Sequence, residues 1–356
     1  DPKVDHLALI VYTSGTTSRP KAVVHTQDRM ARRAAAFAEE VGLTAADVSF
    51  VAHMISRPLA LLAQVIAVLN VGGRVVLHDG VAKNFWTGYA AGPPKTFVVT
   101  IPAVAAEVLA DPAAAAADHS HLRLWVAGGD SVPGPLQAKF QAATGKNLIE
   151  MCGMTEAGFY AINPTRGPVR VGSIGREMKG GAVRIVDAAG RDVPPGEVGE
   201  MLLQTAEVMV GYWNDTAETF RVIRDGWLHT GDLARRDADG FLWFAGRCKD
   251  MICRGGFKVA PPMVEAALAE HPAVARAVVV PVPDPTCGQA PFAFLLLRPG
   301  AERPTDSALR TWLADKLEPA SIPIGYAVVT EWPQTYEGKL DRARLAWMAA
   351  NGGAVV

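Results

Sequence analysis

The sequence predicts an α/β chain: a mostly parallel sheet with helices on both faces, then a distorted β region, then a small α+β domain. Three observations carry this expectation. Up to about residue 165, apolar runs of strand length alternate with helix-forming stretches, the pattern of a parallel sheet. Beyond that point Gly, Pro and short Val/Ile runs dominate, as in antiparallel or barrel-like β structure. From Val264 helix and strand patterns alternate again over about a hundred residues, an ordinary domain size.

The elements follow in order. Leu7 to Tyr12 is an apolar run read as a strand, and it leads into Thr13-Ser14-Gly15-Thr16-Thr17-Ser18-Arg19-Pro20-Lys21-Ala22. Gln27 to Glu40 is rich in Arg and Ala, holds few breakers and reads as a helix ending near Gly42. Ser49 to Met54 is a strand, Leu59 to Leu69 a buried helix, and Arg74 to His78 a strand after Gly72-Gly73. Phe85 to Ala91 reads as helix, and Thr96 to Thr100 as a strand of β-branched and aromatic residues. Val104 to Ala110 is a helix closed by Pro112, and Ala113 to Ala117 is helix-prone. Leu122 to Ala127 is a strand, Leu136 to Thr144 a helix and Asn147 to Met151 a strand.

Ala182 to Val186, Gly199 to Gln204 and Phe241 to Phe244 are the short strands of the β region, with Pro194-Pro195-Gly196-Glu197 a turn. In the last part Val264 to Glu270 and Ser307 to Leu317 read as helices. Val274 to Val282, Ala293 to Arg298 and Gly325 to Val329 read as strands. The boundary before this part is expected near Arg247 to Asp250.

The bulk numbers exclude several classes. The 356 residues are 49% hydrophobic and 20% charged, enough for a large core and more than one domain. The formal net charge is -1, with no basic block, so nucleic acid is not an expected partner. The longest uncharged apolar candidate, Pro58 to Val71, is too short to span a bilayer, and the opening residues do not read as a signal peptide. Cys152, Cys248, Cys253 and Cys287 are scattered without a CxxC pair, which suits a reducing compartment such as the cytoplasm. His119 and His121, and Cys248 and Cys253, lack the four convergent ligands a zinc site wants.

Six stretches carry chemistry. In the opening one, hydroxyls, Gly15 and exposed backbone N–H groups can wrap an anion, with Lys21 adding a point charge. A Ser/Thr-rich surface turn would look the same locally, and neither common Gly-rich phosphate pattern is matched. Gly128-Gly129-Asp130 follows a strand, where two glycines allow close backbone approach to a ligand or simply make a tight turn. In Glu150-Met151-Cys152-Gly153-Met154-Thr155-Glu156, Thr155 offers a hydroxyl to phosphate and Glu156 hard oxygens to Mg²⁺; a helix N-cap with an acidic first turn is the plain alternative. Gly226-Trp227-Leu228-His229-Thr230-Gly231-Asp232 holds a carboxylate that can accept both ribose hydroxyls, or is a surface hairpin. Arg247-Cys248-Lys249-Asp250-Met251-Ile252 sits at the expected boundary, and Gly338-Lys339-Leu340 ends the set in what would ordinarily be an exposed turn.

Together these stretches resemble the acyl-adenylate-forming superfamily, in its acyl-CoA ligase branch, from Tyr12 to Lys339. Its phosphate loop is usually written Y-T-S-G-[ST]-T-G-x-P-K-G; here Ser18 and Ala22 replace the last two glycines. Its Y-G-x-T-E has Cys152 in place of the tyrosine that normally packs on adenine. G-W-x-x-T-G-D, G-R-x-K-D-x-I and P-x-T-x-x-G-K are matched at residues 226–232, 246–252 and 333–339. The resemblance implies an adenylate-forming enzyme fold. Residues 1–246 would be the later part of a large adenylation domain and 247–356 a small mobile lid turning about Lys249.

It implies ATP-dependent conversion of a carboxylic acid to an acyl-adenylate, releasing pyrophosphate, then transfer to the thiol of coenzyme A. Thr13, Ser14, Gly15, Thr16, Thr17 and Lys21 would hold phosphates, and Gly129, Asp130, Met151, Cys152 and Gly153 the nucleotide. Asp232 would hold ribose, Arg247 ribose or phosphate, and Glu156 Mg²⁺. Thr155 and Lys339 would act at the reacting phosphate, with Lys339 bridging it to the acid. Gly255, Gly256 and Phe257 would present backbone to the thiol. Arg57, Trp125, Gly128 and Phe159 would line the acid site, though the aromatic residues also suit a core.

A carrier-protein phosphopantetheine thiol as acceptor, and a non-catalytic nucleotide-binding protein of this fold, both stay open. The chain opens without Met and almost in a strand, so an earlier part of the same enzyme is expected; a homodimer is compatible with the sequence.

Overall fold

The computed structural model describes residues 6–13, 20–334 and 340–352. The chain divides into two compact units, residues 1–230 with 234–244, and residues 231–233 with 245–356.

In the first unit β1 (Leu7–Thr13) and β2 (Lys21–Thr26) form an antiparallel pair in which Thr13 faces Lys21. Strand β2 was not foreseen, because the polar loop before it hides the β-branched pair Val23-Val24. Helix α1 (Gln27–Glu40) is capped by Thr26, whose side chain accepts from the Arg29 N–H. Next come β3 (Val48–Val51), a π-helical segment (Leu59–Ile66), α2 (Ala67–Asn70), β4 (Arg74–Leu77), α3 (Phe85–Ala90) and β5 (Phe97–Thr100). Helices α4 (Pro102–Val108) and α5 (Ala113–Ala116) lead to β6 (Leu124–Gly128), α6 (Gly134–Thr144), β7 (Leu148–Met154), β8 (Gly158–Ile162) and β9 (Arg176–Glu177).

These strands build a seven-stranded sheet in the order β4-β3-β5-β6-β7-β8-β9. The pairs from β4 to β7 are parallel, and β8 and β9 are antiparallel additions. Alternation along the central strands sorts the core into two faces. Val98, Trp125 and Ala127 join Phe50, Phe85 and Phe140 on one face. Phe97, Val99 and Val126 join Phe37 of α1 and Ala63 of the π-helical segment on the other.

The β region follows as β10 (Gly181–Val186), β11 (Gly199–Thr205), β12 (Gly211–Tyr212), α7 (Thr216–Val222), β13 (Ile223–Arg224), β14 (Trp227–Arg236) and β15 (Leu242–Arg247). Five of these strands form one sheet, β10-β11-β14-β13 with β15 on β14, while β12 extends the opening pair as β1-β2-β12.

The second unit holds β16 (Ile252–Arg254), β17 (Phe257–Val259), α8 (Pro261–Ala269), β18 (Val274–Asp284), β19 (Gly288–Leu297), α9 (Asp306–Ala314), β20 (Gly325–Val328) and α10 (Arg342–Ala350). Its sheet runs β17-β16-β19-β18, with β20 parallel to β19. Apolar side chains of β18 alternate between two clusters, Ala277 and Val279 in one and Val278 and Val280 in the other.

Candidate functional site

Strands β6 and β7 lie side by side and parallel, with Gly128 opposite Met151, so their C-terminal ends open at the same edge of the sheet. The turn after β6 carries Gly129 and Asp130, both exposed. Gly129 has φ +90°, a conformation that an L side chain rarely adopts. The Asp130 carboxylate accepts from the Ser131 N–H at 2.8 Å.

The turn after β7 carries Thr155 and Glu156 and joins β7 to antiparallel β8, so it is a hairpin turn and not a helix start. It is tied from several sides. The His25 Nε2–H donates to the Thr155 carbonyl at 2.8 Å, and the Met209 N–H donates to the Glu156 carbonyl at 2.6 Å. The Tyr212 hydroxyl donates to Glu156 Oε1 at 3.0 Å. Strand β12 places Tyr212 opposite Val23 of β2.

Lys21 reaches the same place from the start of β2. Its ammonium lies 5.0 Å from the centre of the Tyr212 ring and is ion-paired with Glu218 of α7. Arg221, one turn on, donates to both Glu218 oxygens at 2.5 and 2.7 Å. Those hydrogen bonds, with Lys21 beside them, hold the Glu218 carboxyl down at about 2. Burial first, and the Glu156 charge second, push the Tyr212 phenol well above its ordinary value.

Beneath the turn lies a buried basic cluster. Arg33 is 4% exposed and donates to the Glu207 carbonyl at 3.0 Å, while Arg29 donates to the Val208 carbonyl. Burial, then the neighbouring Arg33, lowers His25 to about 4, so its imidazole is neutral at pH 7. Burial also lowers Arg33 to about 10.

Other expected site residues fall as follows. Trp125 is 1% exposed; its indole N–H donates to Thr100 Oγ1 at 3.0 Å and its ring packs 5.2 Å from Phe140. That is the position of a core side chain, as is that of Met151. Phe159 packs against Phe37 of α1, ring centres 5.3 Å apart. Cys152, in β7, has its sulfur 2.9 Å from the Tyr160 hydroxyl. A Cβ at Gly153 would lie 2.7 Å from the Gly158 carbonyl oxygen, and one at Gly128 3.1 Å from the Met151 carbonyl oxygen. Arg57 is half-buried just before the π-helical segment; burial, then the Arg57 charge, lowers the nearby His53 imidazole. The Thr13 hydroxyl lies 3.5 Å from the Lys21 carbonyl.

In the second unit Arg247 Nε donates to Asp232 Oδ1 at 3.1 Å, which brings two expected residues together. Gly255 and Gly256, both at positive φ, make the two-residue turn between β16 and β17, where Arg254 faces Phe257. Phe257 is 67% exposed. Lys249 lies in the short turn Cys248–Asp250. Its side chain, with Ser14, Gly15, Thr16, Thr17 and Lys339, lies outside the described residues.

Sequence reasoning missed Tyr212, Glu218, Arg221, His25 and Arg33. Only the Glu218–Arg221 spacing on one helix face gives a local signal.

Comparison with known proteins bears on the whole chain. The pattern of the family described as AMP-binding enzyme matches residues 1–213, and that of the AMP-binding enzyme C-terminal domain matches residues 263–339. A sulfoacetate–CoA ligase of Cupriavidus necator is 36% identical over 350 residues, 97% of this chain and 67% of the relative. A feruloyl-CoA synthase of Amycolatopsis is 32% identical over 339 residues, 95% of this chain and 69% of the relative. The crystal structure of ATP-bound MatB from Rhodopseudomonas palustris superimposes with a TM-score of 0.88 at 25% identity, covering 98% of this chain and 69% of that one.

Proposed function

The chain belongs to the AMP-binding enzyme family, and on that premise we propose that it is an AMP-forming acid–thiol ligase with coenzyme A as acceptor. A carboxylate oxygen attacks the α-phosphorus of ATP and pyrophosphate leaves; the thiol of coenzyme A then attacks the acyl carbon and AMP leaves. The first step needs alignment and charge neutralisation rather than a protein nucleophile. The observation that carries the reading is that Lys21 and Glu156, far apart in sequence, meet on Tyr212: the ammonium over its ring, the carboxylate on its hydroxyl.

In this reading Lys21 binds the β/γ-phosphates, with Thr13, Ser14, Gly15, Thr16 and Thr17. Thr155 faces phosphate, while Gly129, Asp130, Cys152 and Gly153 line the nucleotide. Asp232 and Arg247 hold the ribose and its neighbouring oxygens. Lys339 bridges the acid and the α-phosphate. Residues 247–356 act as a lid, turning about Lys249 to present Gly255, Gly256 and Phe257 to the thiol. The acid lies near Arg57, Gly128 and Phe159.

Mg²⁺ is commonly held by one or two carboxylates together with substrate phosphates. Glu156, half-buried and oriented by Tyr212, suits that role. The bound ion would supply neutralisation of phosphate charge. Among the described residues no helix is long and apolar enough to cross a membrane. We place the activity in the cytoplasm, where ATP and coenzyme A are available. The chain spans 67% of the length of the sulfoacetate–CoA ligase and 69% of that of MatB.

The test is ATP–pyrophosphate exchange by the complete enzyme across a panel of carboxylic acids. Lys339→Ala should lower exchange about 100-fold or more while ATP still binds. Unchanged exchange removes Lys339 from the mechanism. Comparing free coenzyme A with a phosphopantetheinylated carrier as acceptor separates the two thiol acceptors. ATP binding without pyrophosphate release from any acid would favour a non-catalytic nucleotide binder.

A further inference from the structure

Lys21 already has an anion. Its ammonium pairs with Glu218 Oε1, and the two side chains are 26% and 17% exposed. Glu218 sits on α7, whose N-cap Asp215 accepts from the Glu218 N–H at 3.0 Å, so its backbone is fixed. A phosphate oxygen approaching Lys21 must therefore compete with a carboxylate held in place. Glu218 also has a second cation: Arg221 contacts both of its oxygens, and the Arg221 side chain is 68% exposed. Losing Lys21 would leave Glu218 still paired, which lowers the cost of exchange.

We propose that Glu218 is an internal placeholder for nucleotide phosphate on Lys21, and that Arg221 retains Glu218 when phosphate takes its place. The pair sets how strongly an anion must bind before Lys21 is released to it, so weak anions are excluded and the affinity for the polyphosphate of ATP is held down. This rests on the reading of Lys21 as a phosphate ligand. Glu218 and Arg221 are positioning residues; neither touches the reacting atoms.

The two neighbours should act in opposite directions. In the complete enzyme, Glu218→Gln should tighten calorimetric binding of ATP and of inorganic tripolyphosphate about three- to fivefold. KM for ATP should fall in step, with kcat changing less. Arg221→Gln leaves Glu218 on Lys21 alone and should weaken both ligands by a similar factor. Glu218→Asp, with the charge kept, should behave more like the parent than Glu218→Gln does. In a Lys21→Ala background the effect of Glu218→Gln should shrink to less than about twofold.

Thermal unfolding of each variant checks that the fold is kept. Tripolyphosphate binding that is unchanged or weaker in Glu218→Gln overturns the placeholder role. So does an equal gain with and without Lys21, which would mean simple charge repulsion. If Lys21→Ala itself leaves tripolyphosphate binding untouched, the phosphate role of Lys21 fails instead.

Discussion

The turns after β6 and β7 begin from the same kind of strand end and are finished in different ways. The Thr155–Glu156 turn is held by His25, Met209 and Tyr212, which fix two carbonyls and a carboxylate. The Gly129–Asp130 turn is exposed, and its aspartate is occupied with the next residue's N–H. Position at the edge of a parallel sheet makes a turn available to a ligand. Contacts from outside that sheet decide whether its geometry is set in advance.

The strongest way to break this comparison is to remove the support under the tied turn. Arg33→Ala deletes a buried guanidinium, leaves the Glu207 carbonyl without its donor and opens a void beside Gly158. A loss of about 2–4 kcal/mol is expected by urea denaturation. Asp130→Asn at the open turn should cost less than about 0.5 kcal/mol. Equal costs would show that the tied turn is not held from below.

Glu150 sharpens the comparison because it lies on β7 and feels the charge of Asp130 on the other turn. Burial, then Asp130, pushes its carboxyl up to about 8, against a backbone hydrogen bond from Val132 that lowers it. The folded state therefore keeps a proton that the unfolded chain has released by about pH 4.5. Stability is fully present below that pH and is lost as pH rises towards 8. Denaturation at pH 5, 7 and 8.5 should show this slope, and Glu150→Gln should flatten it. A slope that survives in Glu150→Gln belongs to another group.

The parallel sheet was legible because its strands and helices announce themselves locally. The Leu59 run read as a buried helix by length and composition, but a segment that is apolar all round carries no phase, so its π-helical first part left no mark. The hairpin after Glu156 was not legible for a related reason: Thr-Glu after a strand suits a helix cap as well as a turn. The Lys21–Glu218 pair spans 197 residues, and no window of sequence contains it. Trp125 shows the converse. Its alternating strand placed it on one face of the sheet, but only the packing of Phe85 and Phe140 shows that this face is sealed there.

A smaller effect than that of Arg33→Ala tests the open turn itself. Gly129 has φ +90°, yet an added Cβ would meet nothing nearer than Ile101 Cγ2 at 3.5 Å, an ordinary contact. Gly129→Ala should therefore cost only backbone strain, about 1 kcal/mol. Gly129→Asn should cost less than Ala, because asparagine tolerates positive φ better. Gly153→Ala, one strand away, has the opposite problem: its Cβ would press on the Gly158 carbonyl oxygen at 2.7 Å and on Phe159 at 3.0 Å, and the hairpin would have to move. Urea midpoints for the three variants should rank Gly129→Asn above Gly129→Ala above Gly153→Ala. If Gly129→Ala falls to the level of Gly153→Ala, the turn after β6 is enclosed by something that reaches it in solution, and the contrast between the two strand ends is lost.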